Sequence, residues 1–172
     1  KHTESGYFYR PDRPRLTRGK ERSIMASIAN RIATDVASID IQHVRLDKEG
    51  RFSEVLDTGL NKCFNLEANL DQTGREFKHD VVLSMWDEGC IAMVPVDTTV
   101  NPKNTSSYDI LTMRVGKILE WFPDKVRVQV YNELTGRKEE VVCPKRTVGI
   151  IQNPFYAIVN EPNSTLQRLI RK

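Results

Sequence analysis

The chain has 172 residues, 39% of them hydrophobic and 28% charged, a globular composition that excludes a disordered tail and a fibrous repeat. Its richest apolar stretch, Val81 to Val96, is interrupted by Asp87 and Glu88; no segment reaches the roughly 18 apolar residues of a membrane span, and no membrane partner is expected. The net charge of +3 is uneven, with seven Lys or Arg against three acids in residues 1–22 and 16 basic against 20 acidic residues in 23–162. Such a mildly acidic body is unlike a duplex-DNA reader, so nucleic-acid contacts are expected only from the ends.

Residues 1–19 read as an extended basic arm, since Pro11 and Pro14 oppose a helix. Its Tyr7, Phe8 and Tyr9 with Arg10, Arg13, Arg15 and Arg18 combine stacking rings with guanidinium groups, a composition used on single strands and phosphates. The same composition serves an arm laid across a neighbouring subunit, and that reading is preferred. These four arginines are the candidate subunit or DNA contacts.

From Lys20 to Ala37, Ile24, Ile28, Ile32 and Val36 recur every four residues and predict an amphipathic helix with that stripe inward. Ile39 to Leu46, a turn at Asp47–Gly50, and Arg51 to Leu56 predict a hairpin. A short helix is expected over Gly59–Leu70. Thr73 and Glu76 form a capping box that starts a second main helix, carried by Phe77, Val81 and Met85 and ended by Gly89. The acids Asp87 and Glu88 at its C-terminus oppose the helix dipole. Cys90–Val96 predicts a strand broken by Pro95, and 101–107 a polar loop. Strands follow around Leu111–Trp121, Val126–Tyr131, Glu139–Cys143 and Val148–Ile151. The fold class is therefore α+β: two main amphipathic helices packed with β-hairpins and a mixed, mostly antiparallel β meander. The expected organisation is an arm over 1–19, an α+β domain over 20–163, and the start of a helix over 164–172 that stops in mid-pattern, as in a piece of a longer protein.

Signals for chemistry are sparse. His2, His43 and His79 have no metal-ligand spacing, and Cys63, Cys90 and Cys143 form no Cys-x-x-Cys pair. The odd, scattered cysteines favour a reducing cytoplasm over a secreted disulfide scaffold. No phosphate-binding glycine loop or nucleophile elbow is present. A magnesium cluster of Asp80, Asp87 and Glu88 for phosphoryl transfer, and a Cys63 or Cys90 nucleophile with His79 as base, are each weaker than the reading of solvated helix ends and core thiols. No catalytic residue, metal or cofactor is expected, and the chain does not read as an enzyme.

Several segments in order carry a family resemblance: Tyr9-Arg10-Pro11-Asp12-Arg13-Pro14-Arg15, Arg22-Ser23-Ile24 through Asn30-Arg31-Ile32-Ala33, and Ile39-Asp40-Ile41 with His43-Val44-Arg45. Asn69-Leu70-Asp71-Gln72-Thr73-Gly74 before Phe77 and Asp87-Glu88-Gly89, Ser107-Tyr108-Asp109-Ile110-Leu111 with Gly116-Lys117-Ile118, and Asn160 through Leu166 follow. Together they resemble the N-terminal, wing region of portal proteins of HK97-like tailed bacteriophages, in particular prophages of Gram-positive bacteria. The resemblance implies a structural subunit of a homo-oligomeric ring, of about twelve copies, at the unique capsid vertex, forming the channel for DNA packaging and ejection. It implies capsid, terminase and head-tail adaptor proteins as partners, with double-stranded DNA passing mainly along stem and clip regions beyond this chain. The implied locations are the virion and, during assembly, the bacterial host cytoplasm. The alternative is a small nucleic-acid-binding module using the basic arm.

Overall fold

The computed structural model describes residues 24–102, 104–105 and 107–153. The arm over 1–19, the first residues of the expected 20–37 helix and the helix expected from 164 lie outside the described residues. Helix α1 (Ile24–Ala37) ends where predicted, but its buried face is different. Ala26, Ala29, Ala33 and Ala37 are buried, whereas Ile24 is 79% and Ile28 46% exposed. The reason is the neighbour: α1 packs on helix α3 (Gly74–Glu88), and methyl-sized side chains allow a closer approach than branched ones.

The expected hairpin forms from β1 (Val44–Leu46) and β2 (Phe52–Val55), with Val44 opposite Val55 and Leu46 opposite Phe52. Its first strand is shorter than predicted, because residues 39–43 join no ladder. The turn is held by the Asp47 carboxylate, which accepts from the N–H groups of Glu49 at 3.0 Å and Arg51 at 2.8 Å. Helix α2 (Gly59–Asn65) also ends early. In place of its second half, β3 (Glu67–Asn69) and β4 (Gln72–Thr73) make a small antiparallel pair.

That pair leads straight into α3, whose capping box is as predicted. The Glu76 N–H donates to Thr73 Oγ1 at 3.2 Å, and the Thr73 N–H donates to Glu76 Oε2 at 3.0 Å. Gly89, at φ +81°, ends the helix. Its left-handed backbone is one that a residue with a Cβ resists.

Strands β5 (Cys90–Thr98), β6 (Ile110–Trp121), β7 (Lys125–Asn132), β8 (Arg137–Pro144) and β9 (Gly149–Gln152) build one sheet in the order β8-β7-β6-β5-β9. Each of its described pairings is antiparallel, so the α+β class stands and the meander contains no parallel pair among these strands. A 3₁₀ turn at Lys145–Thr147 returns the chain so that β9 lies beside β5. Pro95 does not break β5; the strand runs through it, and the register slips between Pro95 and Asp97, an irregularity at which proline is tolerated.

Alternation along the strands divides the interior in two. Phe77, Val81, Cys63, Ile91 and Met113 form a core between the sheet and helices α2 and α3. Ala92, Val94, Ile118, Val126, Val128 and Val130 form a second one on the opposite face, with Val148 and Ile150 packed against it.

Candidate functional site

Asp80, Glu88 and His79 each engage a different partner. Asp80 is buried, at 6% exposure. Its carboxylate accepts from Gln72 Nε2 at 2.8 Å and from Ser84 Oγ at 3.4 Å, and Gln72 in turn accepts from Asn69 Nδ2 at 2.8 Å. Asp80 is thus part of a buried polar chain that ties the β3–β4 turn to α3. Glu88 instead meets Lys117 on β6 at 2.8 Å. That pairing answers the conflict at the helix C-terminus, since the lysine brings the positive charge that the dipole favours there. Among the described residues no three His, Cys, Asp or Glu side chains converge in a way that would hold a metal ion.

The thiols are placed as core groups. Cys63 Sγ lies 3.6 Å from the Leu111 carbonyl, and burial, reinforced by the charge of Asp109, pushes its pKa up to about 11. Burial also raises the Cys90 thiol. His79 bonds through Nε2 to Asn30 Oδ1 on α1, at 3.1 Å. Arg10, Arg13, Arg15 and Arg18 lie outside the described residues.

Two features escaped the sequence pattern. The first is Arg114 on β6, 2% exposed, which donates to Glu133 Oε1 through Nε at 3.0 Å and Nη2 at 2.6 Å, and to Asp71 Oδ2 at 2.6 Å. The guanidinium also lies 4.8 Å from the Tyr131 ring centre. One cation therefore joins the β3–β4 turn, β6 and the end of β7. Its neighbours Met113 and Val115 gave the only local hint, an arginine within an apolar strand.

The second is a surface. The β1–β2 hairpin is anchored to α2 by amides: His43 N–H donates to Asn61 Oδ1 at 2.6 Å, Asn61 Nδ2 to the Leu56 carbonyl at 2.6 Å, and Asn65 Nδ2 to the Ile41 carbonyl at 2.9 Å. The cross-strand pair Leu46–Phe52 stays in solvent, with Phe52 63% exposed, and Val55 is exposed beside it. Ile24, Ile28, Leu66 and Leu70, elsewhere in the chain, are exposed as well.

No family model matches the sequence, and no curated protein matches it. Among solved structures, a similar chain occurs in the neck of an empty GTA particle computed with C6 symmetry, at a TM-score of 0.47 and 12% identity over 88% of this chain. The match takes in 39% of that chain, so the present sequence spans well under half the length of that neighbour.

Proposed function

We propose that the chain is a structural, non-enzymatic subunit of the portal ring of a tailed-phage particle and forms part of its outer wing. The ordered series of segments from Tyr9 to Leu166 that resembles HK97-like portals supports the portal identity. The observation that carries the assembly part is the uncovered apolar face of the β1–β2 hairpin, with Leu46, Phe52 and Val55 exposed. A hairpin held by asparagine side chains gains little from its own apolar pairs while they remain in water, and burying them against a second copy supplies that gain. In this reading the capsid, terminase and adaptor proteins are partners of the ring, and DNA passes through it in the virion and during assembly in the host cytoplasm.

Light scattering tests the proposal, on this chain and on the longer protein that the resemblance implies. The longer protein is expected to form a closed ring, and Phe52→Asp to lower the mass while the far-ultraviolet spectrum stays unchanged. Monomers at high concentration, with salt-dependent DNA binding lost when Arg10, Arg13, Arg15 and Arg18 become Ala, would overturn it in favour of a nucleic-acid module.

A further inference from the structure

Between Ala37 and Gly59, both buried, the chain leaves the body and returns to it. No residue from 38 to 58 is buried, and within the hairpin only Val44 and Asp47 are half-covered. Val44 faces Val55 and Leu46 faces Phe52 across the strands, yet none of the four belongs to either core. A two-stranded hairpin with no apolar surface to lie on is marginal in water. This one depends on what holds its root.

The root is held by polar side chains. Asn61 on α2 grips both strands: its Oδ1 accepts from the His43 N–H at 2.6 Å, and its Nδ2 donates to the His43 carbonyl at 3.0 Å and to the Leu56 carbonyl at 2.6 Å. The Leu56 N–H donates to that same His43 carbonyl at 3.0 Å, so one amide closes the last rung of the hairpin and fixes it to the helix. Asn65 Nδ2 donates to the Ile41 carbonyl at 2.9 Å and Lys78 Nζ to the Ile39 carbonyl at 2.6 Å, and these two hold the incoming segment. The helix behind the grip is itself fixed, since the Gly59 N–H donates to the Asp109 carboxylate at 3.0 Å and Cys63 lies in the core. Water competes with most of the root bonds, so each contributes little.

We propose that residues 38–58 form a latched arm, which opens as one unit while both cores stay folded, and that Asn61 is the latch, a positioning residue for the hairpin's apolar face. An amide suits that place because it accepts from one backbone group and donates to two others; a carboxylate of the same shape still accepts from the His43 N–H but turns its second oxygen on two carbonyls. The latch stands on these contacts alone. Its use, holding Leu46, Phe52 and Val55 where a second copy can cover them, rests on the ring reading above.

Hydrogen exchange of the full chain, read by mass spectrometry of its peptides, tests the latch on wild type and Asn61→Asp. A carboxylate in the first turn of α2 also suits the helix dipole, so the substitution spares the fold. In wild type the amides of 44–56 should exchange faster than those of α3 and β5–β7, at a rate nearly independent of sub-denaturing urea, because opening the arm exposes little surface. Asn61→Asp should speed exchange over 44–56 by roughly tenfold and leave α3 and β5–β7 unchanged. The latch is overturned if 44–56 exchange with the same rate and urea dependence as α3, if Asn61→Asp leaves them unchanged, or if it speeds α3 and the sheet equally. Light scattering of the longer protein with the same substitution keeps the two readings apart. A lower mass supports the arm's use in assembly, whereas faster exchange over 44–56 at an unchanged mass sinks that use and leaves the latch standing.

Discussion

Replacing Arg114 with Ala probes a buried charged group that joins three parts of the chain. Its side chain is 2% exposed, and that of its main partner Glu133 is 19% exposed. Removing one member of a buried pair typically costs about 3–5 kcal/mol, because the other charge is left without compensation. The Asp71 bond adds little, since that carboxylate is 39% exposed and pairs of that kind are worth about 0–1 kcal/mol. The stack on Tyr131 is worth on the order of 1 kcal/mol. The expected loss is therefore about 3–5 kcal/mol, or roughly 6–20 °C in Tm for a domain of this size. Arg114→Lys should lose roughly half as much, since it keeps the charge but cannot present two donors to Glu133 in one plane. Urea midpoints at neutral pH measure both. A double-mutant cycle of Arg114→Met with Glu133→Gln should show the pair of changes costing about 1.5–3 kcal/mol less than their sum. Strict additivity, or a loss under about 1 kcal/mol for Arg114→Ala, would refute the view that burial makes this pairing matter.

Other perturbations test separate features. Gly59→Ala should destabilise by about 2 kcal/mol or more, since its Cβ would lie 1.7 Å from the Ile110 carbonyl oxygen; chemical denaturation reads this directly. Thr73→Ala should cost about 1 kcal/mol, and adding Glu76→Ala should cost less than in the wild type, as both belong to one box. Glu139 has a depressed pKa, chiefly from the Asn132 and Thr135 hydrogen bonds, so its contribution is complete above the ordinary carboxylate range and lost as pH falls below about 4.3. Glu139→Gln should flatten the urea midpoint against pH in that acid window and leave the slope near neutrality unchanged. Iodoacetamide at pH 8 should leave Cys63 and Cys90 unlabelled until the protein is unfolded, because both thiols are held protonated by burial.

Local signals were legible. The capping box at Thr73 and Glu76, the glycine that ends α3 and the alternation through Val126, Val128 and Val130 all depend on residues within a few positions of one another. Signals that depend on a distant partner were not. The isoleucines of α1 outscore its alanines on any hydrophobic scale, yet the shape of α3 selects the alanines. Residues 66–70 look helical in isolation and pair as a strand because Asn69 reaches the Met113 carbonyl at 2.9 Å. Arg114 is one ordinary arginine in a strand until Asp71 and Glu133, 43 and 19 positions away, are brought to it. The candidate surfaces were the least legible, since periodicity identifies apolar residues but not those left uncovered.

The close contacts at two glycines also bear on how such a chain can vary in length. At Gly59 an added carbon would meet the Ile110 backbone, and at Gly74 it would lie 2.4 Å from the Phe64 carbonyl oxygen. These two points of near-zero clearance bracket α2, β3 and β4, so inserting or deleting a residue between them would push backbone into backbone. Length changes are instead absorbed at the exposed β7–β8 turn around Leu134 and in the polar loop between β5 and β6, where relatives of different length are expected to diverge.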